Sequence, residues 1–478
     1  MKTIAARPNV RALGFIRDGQ LHWRTWREVA TDAATLAAKI RAAGVALGDR
    51  VAHVSENRYE WIITDLALHL AGAVHVPIHA TLSGQQIAEQ ITDCGARLAF
   101  VSSEDLLAKF ATRFDHQIPV WLHDERPSTA PTPTSAFPPP RIVHPASSSL
   151  ATILYTSGTT GRPRGVMLSH HNLACNAATV CAAHGVDPNH TLLCVLPLSH
   201  IYARTCDLYT WIVSGSRLVL AESRDTLVRD CQLAQPTALN AVPFVYQRVM
   251  EAVCNNAAID EPTALRSVFG PQMKMLFCGG APVAPDVEAW YTTCGRPLLT
   301  GYGMTEASPV VAVSTCRERR VGTVGPVLPG VEVHIADDGE ILVRGPNIML
   351  GYWKDEAATA DAIRDGWFHT GDLGELDADG FLTVRGRKKE LIVLSTGKKV
   401  SPTRVEGLLT TSPFIDQAAV FGDGQSGLVA LIVPSDLTDR RTACGVARRD
   451  FFADEIANCL KAAAQEEQIH RFALLHRP

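Results

Sequence analysis

No apolar run in this sequence is long and unbroken enough to cross a membrane. The most apolar stretch, residues 61–78, is interrupted by Asp65, His69 and His75, and polar or charged groups within a membrane span are costly. The pattern therefore predicts a buried helix followed by a strand. Because no apolar segment follows Met1–Pro8, a secretory signal is not expected either.

The sequence also lacks Cys-x-x-Cys pairs and a strong excess of either charge. Its 12 cysteines are scattered, which is typical of reduced thiols in a cytosol rather than of disulfides or a zinc site. A formal net charge of −4 gives no sign of the basic surface that nucleic-acid binding needs. We expect a cytoplasmic protein without a nucleic-acid partner, while peripheral contact with a membrane surface stays open.

Helical and strand-like patterns alternate along the first hundred residues. Apolar residues at helical spacing begin at Trp26, and a strand pattern follows at Asp49–Val54. The alternation continues with helix Tyr59–Ala71, strand Ala73–Pro77, helix Gly84–Cys94 and strand Leu98–Val101. This order predicts an α/β fold with a largely parallel sheet. Because 478 residues exceed what one core usually accommodates, we expect a large and a small domain.

A segment rich in glycine and hydroxyl residues lies between two apolar, strand-like runs. From Tyr155 it reads Tyr-Thr-Ser-Gly-Thr-Thr-Gly-Arg-Pro-Arg-Gly. Glycines let backbone N–H groups approach an anion closely, and hydroxyl and guanidinium groups donate to phosphate oxygens. The segment is not a Walker A sequence, because Arg-Pro follows Gly161 where that motif has Lys-Ser/Thr. A polyphosphate loop is favoured over a surface linker, since linkers rarely connect two such strands.

This segment resembles the phosphate loop of the adenylate-forming, AMP-binding superfamily, and the chain is similar to its long-chain fatty-acid–CoA ligases from Trp26 to Leu475. The resemblance implies a large N-terminal adenylation domain of parallel-rich sheets with helices at residues 1–388. It also implies a small, mobile α+β domain at residues 389–478. The phosphate-binding residues that it implies are Thr156, Ser157, Gly158, Thr159, Thr160, Gly161 and Arg164, the last standing where the family usually has lysine.

A second motif, Leu299-Thr-Gly-Tyr-Gly-Met-Thr-Glu306, places an aromatic ring, a hydroxyl and a carboxylate close together. Such a set suits a nucleotide, because Tyr302 can stack on a base, Thr305 can bond phosphate and Glu306 can hold Mg²⁺. The alternative is that Thr305 caps a helix with Glu306 in its first turn. The two interpretations are compatible, and the resemblance makes Thr305 and Glu306 catalytic.

Three shorter motifs gain their meaning from the resemblance. Gly279, Gly280 and Ala281 follow a strand-like run and could be turn residues, but the family places the adenine there. Asp372 reads as a turn aspartate, whereas its family counterpart accepts hydrogen bonds from both ribose hydroxyls. His200 by itself reads as a core histidine, yet the matching family position lies between the adenylate site and the thiol tunnel.

The basic run Gly386-Arg-Lys-Lys-Glu390 could be a solvated face. The resemblance instead makes it the hinge between the two domains, with Lys389 at the pivot and Arg387 near the ribose. The family also continues past a segment like Ile469–Leu475 into a stretch with an adenylation lysine, whereas this sequence ends at Pro478. We therefore expect a shortened C-terminus and a slow adenylation half-reaction.

The implied activity is that of a ligase that uses ATP, Mg²⁺ and CoA. A medium- or long-chain fatty acid attacks the α-phosphorus of ATP, and the CoA thiol then displaces AMP from the acyl-adenylate. Two alternatives remain at this point: a partial enzyme with another thiol or amine acceptor, and a nucleotide- or acyl-binding regulator on a ligase fold. The regulator is disfavoured, because it need not keep both Glu306 and Asp372.

Overall fold

The computed structural model describes residues 6–113, 118–124, 146–156, 163–254, 260–435, 448–461 and 463–475. Its α-helices, numbered α1 to α14 in chain order, are Trp26–Ala42, Tyr59–Ala71, Gly84–Cys94, Glu104–Ala108, His170–His184, Ile201–Ala203, Thr210–Ser214, Leu227–Ala234, Pro243–Cys254, Glu261–Phe269, Pro285–Thr293, Glu356–Ala362, Pro402–Leu409 and Arg448–Cys459. A π-helical segment, Arg204–Tyr209, joins α6 to α7. None of the helices in these ranges has both the length and the apolar character of a membrane span.

The strands, numbered β1 to β25 in chain order, form two large sheets and several small ones. They are Arg11–Arg17, Gln20–Thr25, Arg50–Val54, Val74–Ile78, Leu98–Val101, Val120–Leu122, Leu150–Thr156, Arg164–Ser169, Thr191–Cys194, Arg217–Leu220, Ala238–Ala241, Met275–Cys278, Leu298–Gly303, Val310–Val313, Glu332–Ile335, Glu340–Arg344, Gly351–Tyr352, Ile363–Arg364, Trp367–Leu376, Leu382–Arg387, Ile392–Val393, Lys399–Val400, Ile415–Phe421, Leu428–Pro434 and Ile469–Leu474.

The two large sheets are mostly parallel and share one core. One has the order β17-β8-β7-β4-β3-β5-β6, and the other has the order β14-β13-β12-β11-β9-β10-β1-β2. Leu154 and Leu168 of the first sheet belong to the same buried cluster as Leu193 and Leu276 of the second. The α/β fold class is confirmed.

Three of the early elements have the predicted bounds, whereas strands predicted at Asp49–Val54 and Ala73–Pro77 are observed one residue later at one or both ends, as Arg50–Val54 and Val74–Ile78. Helices Tyr59–Ala71 and Gly84–Cys94 and strand Leu98–Val101 have the expected bounds. The second of these helices begins with a capping box, in which Ser83 accepts the N–H of Gln86 and the Gln86 side chain accepts the N–H of Ser83.

The C-terminal residues form a smaller α+β unit. An antiparallel pair, β23 and β24, continues into a parallel pairing of β24 with β25. Helices α13 and α14 cover a separate core around Val405, Ile432 and Phe452. The sequence pattern predicts a helix through Phe451–Ala464, whereas the observed helix ends at Cys459. Beyond that end, the Gln468 side chain donates hydrogen bonds to the carbonyls of Leu460 and Ala463. The boundary at residue 388 stays a prediction.

The carboxyl ends of the parallel strands lie in one region of the molecule. Thr156 ends β7, Gly279 follows β12 directly, and Gly303 ends β13. In open α/β sheets, ligands bind in the crevice outside the carboxyl ends of the strands. The residues singled out from the sequence therefore converge where such a fold provides a site.

Candidate active site

A cavity of about 990 Å³ lies at this carboxyl edge; we call it the central cavity. Most of the described candidate residues line it. They are Thr156, Arg164, His200, Gly279, Gly280, Tyr302, Thr305, Glu306, Arg387 and Lys389. Ala281 and Asp372 do not contribute to its wall: Ala281 is exposed outside it, and Asp372 is buried behind two of its lining residues, Tyr302 and Arg387.

The flanks of the phosphate loop are held by antiparallel strands. Thr156 at the end of β7 pairs with Arg164 at the start of β8. Five of the predicted phosphate contacts, Ser157, Gly158, Thr159, Thr160 and Gly161, lie outside the described residues. The Arg164 guanidinium stacks on Tyr352, 5.4 Å from the ring centroid. Its charge therefore lies beside the cavity, where a phosphate group would meet it.

Asp372 is held by two side chains of the cavity wall. Tyr302 Oη donates to Oδ2 at 2.7 Å, and Arg387 Nε lies 3.2 Å from Oδ1. Burial raises the pKa of Asp372, while the Tyr302 hydroxyl and the Arg387 charge favour its ionised form. The roles assigned to these three residues stay predictions.

Glu306 presents a carboxylate to the central cavity. Its Oε1 accepts a hydrogen bond from Tyr352 Oη at 3.0 Å. The segment Thr305–Ala307 is a single 3-10 turn that begins after Met304, with no side-chain cap. Helix capping by Thr305 is therefore wrong, because no α-helix begins here.

The donor set around Glu306 bears on whether Mg²⁺ fits. The described part of the chain contains no group of three or more His, Cys, Asp or Glu side chains placed to hold a metal. A single carboxylate beside a phosphate-sized space is the arrangement that Mg²⁺ adopts when it is bound mainly by substrate phosphates and water. The residues present fit a magnesium ion that enters with a nucleotide.

Gly279 and Gly280 leave the backbone bare beside an aromatic ring. A Cβ atom on Gly279 would lie 3.3 Å from Cζ of Tyr202, and Gly280 has a φ of +86°. Any larger residue at 279 would push the Tyr202 ring, and any other residue at 280 would be strained. In this structure the Tyr202 ring occupies the space beside Gly279, and the base contact assigned to Gly279, Gly280 and Ala281 stays a prediction.

Part of the lining of the central cavity is apolar and comes mainly from the second large sheet and helix α5. This apolar wall, as we call it, was not readable from any sequence motif, since its residues are scattered along the chain. They are Val180, Val186, Leu192, Phe277, Leu299 and Val313. His184 joins them, with its ring 4.4 Å from that of Phe277, and burial lowers its pKa to about 4.

Three polar residues meet at another part of the wall. His200 lines the cavity, and its Nδ1 accepts the backbone N–H of Tyr202 at 3.2 Å. Sequence reasoning missed its neighbours: His79 and Ser199 also line the cavity, and Ser199 Oγ lies 2.7 Å from His79 Nδ1. The signal available for His79 was its position just beyond the carboxyl end of β4.

The predicted hinge is tied by ion pairs to the separate sheet formed by β15, β16, β18, β19 and β20. Lys388, rather than Lys389, contacts Asp338 and Glu340, the latter at 3.1 Å. Both Lys388 and Lys389 line the cavity. Gly386 has a φ of +141°, and a Cβ there would lie 2.8 Å from Ser401 Oγ. The turn therefore depends on this glycine, although the pivot role of Lys389 stays a prediction.

A fully buried ion pair lies behind the cavity, and no sequence pattern pointed to it. Arg204 donates to Asp65 at 2.5 Å and to Thr152 at 2.8 Å, and its guanidinium also lies 2.8 Å from His75 Nδ1. Burial alone would raise the pKa of Asp65, but the Arg204 charge holds it well below its usual range. Because Thr152 belongs to β7, the pair joins the phosphate-loop strand to the π-helical segment after His200.

Comparison with known proteins identifies the same family that the motifs resemble. The sequence profile described as AMP-binding enzyme matches residues 2–353, and that of the AMP-binding enzyme C-terminal domain matches residues 389–475. The chain is 34% identical over 467 residues to the long-chain-fatty-acid–CoA ligase FadD15 of Mycobacterium bovis, covering 85% of this chain and 76% of that protein. It is 32% identical over 435 residues to a feruloyl-CoA synthase of Amycolatopsis sp, covering 86% and 84%.

Solved structures agree on the fold. O-succinylbenzoate CoA synthetase (MenE) from Bacillus subtilis in complex with AMP superposes with a TM-score of 0.81 at 24% identity, covering 100% of this chain and 94% of that one. ATP-bound MatB from Rhodopseudomonas palustris gives 0.80 at 26% identity, covering 97% and 92%. Together with the profile matches over most of the sequence, these similarities mean that the chain belongs to the AMP-binding family of adenylate-forming acyl-CoA ligases.

Proposed function

We propose that this enzyme activates a medium- or long-chain fatty acid with ATP, through an acyl-adenylate, and transfers the acyl group to CoA. The observation that carries the proposal is that the nucleotide candidates Tyr302, Glu306 and Arg387 line the same cavity as the apolar wall. An extended apolar chain packed against this wall would bury its surface, which stabilises binding by about 25 cal/mol per Å². The similarity to FadD15 supports the same substrate class.

In this proposal the fatty-acid carboxylate attacks the α-phosphorus of ATP and pyrophosphate leaves. Arg164 and the loop before it bind the phosphates, and Tyr302 and Arg387 border the nucleotide. Glu306 would hold Mg²⁺, which when bound neutralises charge on the phosphates. These groups stabilise the charge that develops in the transition state, which is usually the largest single contribution to catalysis.

The second step uses the small domain, which we assign to residues 389–478. The separate core of this region supports a unit that moves as one body about residues 386–389. The CoA thiol then attacks the acyl carbonyl carbon and AMP leaves.

The test is pyrophosphate release over a panel of acids, with and without CoA. We expect medium- or long-chain fatty acids to be preferred over acetate and ferulate, with release that becomes catalytic only when CoA is present. Glu306→Gln should reduce release by about 10² or more, whereas Glu332→Gln, at an exposed glutamate on β15, serves as the matched control. Preference for ferulate would assign the apolar wall to aryl acids, and turnover with an amine alone would replace CoA as acceptor.

A further inference from the structure

The cluster of His79, Ser199 and His200 has no role in the steps above. His79 follows β4 and Ser199 lies in the turn after β9, so the carboxyl edges of both large sheets contribute to it. The Ser199 Oγ to His79 Nδ1 distance of 2.7 Å is that of a good hydrogen bond. The rings of His79 and His200 are 6.4 Å apart, and all three residues line the central cavity.

The two histidines differ in whether their second ring nitrogen, Nε2, can accept a proton. A neutral imidazole has one donor and one acceptor nitrogen. In His200 the acceptor is Nδ1, because it takes the N–H of Tyr202, so Nε2 carries the proton and cannot accept another. His79 has Ser199 on Nδ1, and its Nε2 has no hydrogen-bond partner among the residues the structure describes.

We propose that His79 is the base that takes the proton of the CoA thiol during thioester formation, with Ser199 as its positioning residue. This inference rests on the proposed function. The S–H bond breaks and its proton moves to His79, while the sulfur electron pair forms the bond to the acyl carbonyl carbon. The carbon–oxygen bond to the phosphate of AMP then breaks, AMP leaves as an anion, and His79 returns its proton to solvent.

In the proposed step His79 Nδ1–H donates to Ser199 Oγ, so that Nε2 accepts the thiol proton directly. Burial lowers the pKa of His79 from its ordinary value, so the ring is neutral and able to accept at pH 7. His200 faces it, and Gln86 and Gln90 of α3, which line the same cavity, do not titrate.

The experiment isolates thioester formation in the full chain. Synthetic acyl-adenylate and CoA are mixed in single-turnover reactions between pH 6.5 and 9, for the wild type, His79→Gln, Ser199→Ala and the exposed control His334→Gln. A thiol with a pKa near 8.5 is mostly protonated at pH 6.5 and mostly ionised at pH 9. We expect His79→Gln to be about 10²-fold slower at pH 6.5, with the deficit shrinking to a few-fold at pH 9.

Two further readouts separate a base from a residue that only supports the fold. Pyrophosphate release from fatty acid and ATP should fall at least tenfold less than thioester formation in His79→Gln, and added imidazole should restore thioester formation to His79→Ala. A deficit that stays constant across pH, or equal loss of both half-reactions, would overturn the assignment. Wild-type enzyme that forms acyl-adenylate but never thioester would refute the proposed acceptor instead, whatever His79 does.

Discussion

Replacing Arg204 with methionine should remove the centre of the buried ion pair behind the cavity. The Arg204 and Asp65 side chains are fully buried, with 0% exposure of each, so the Asp65 carboxylate would remain in a low-dielectric site without a countercharge. Breaking such a pair by deleting one partner costs about 3–5 kcal/mol. His75 and Tyr209 still contact Asp65 Oδ1, at 2.7 and 3.3 Å, which places the expected loss near the lower end, at about 3 kcal/mol.

Urea titration followed by tryptophan fluorescence measures this loss, because the Trp61 ring centroid lies 5.9 Å from the Arg204 guanidinium. The control is Arg248→Met, where an exposed arginine lies 3.6 Å from Glu251, and the expected loss is below about 1 kcal/mol. If Arg204→Met costs no more than this control, the pair does not stabilise the fold as argued. The double variant with Asp65→Leu should recover part of the loss, since no uncompensated charge remains.

Two further predictions concern the nucleotide and acid pH. Asp372→Asn should weaken ATP binding by at least about 1.5 kcal/mol in calorimetry, with the exposed Asp379→Asn as control, and equal affinities would exclude Asp372 from the site. The pKa of His75 is lowered to about 3 and that of His123 to about 4, both first by burial. Below about pH 6.5, the pKa of a histidine in the unfolded chain, the unfolded chain binds more protons than the folded chain. The free energy of unfolding should therefore fall by about 1.4 kcal/mol per pH unit for each histidine as the pH is lowered from about 6 to 4.5. Urea midpoints that are equal at pH 7 and pH 5 would contradict this.

The parts of the fold that the sequence predicted are those fixed by neighbouring residues. A capping serine with Gln86 three positions later determines where one helix begins, whatever packs against it. The same holds for the motif around Tyr302 and Glu306, whose residues reach the central cavity because they stand at the end of one strand. Because signals of this kind depend only on neighbouring residues, the elements that they specify can be predicted before the structure is known.

What escaped prediction depends on contacts between distant segments. Arg204 meets Asp65 and Thr152 across separations of 139 and 52 residues, and each of the three looks ordinary in its own segment. His79 and Ser199 are 120 residues apart, and only the shared carboxyl edge of two sheets brings them together. The predicted motifs supply the proposed nucleotide contacts, whereas the proposed base for thioester formation belongs to a pair that the fold alone creates. Variants chosen from motifs would therefore test adenylation, and variants chosen from cross-sheet pairs such as His79 and Ser199 are needed to test transfer.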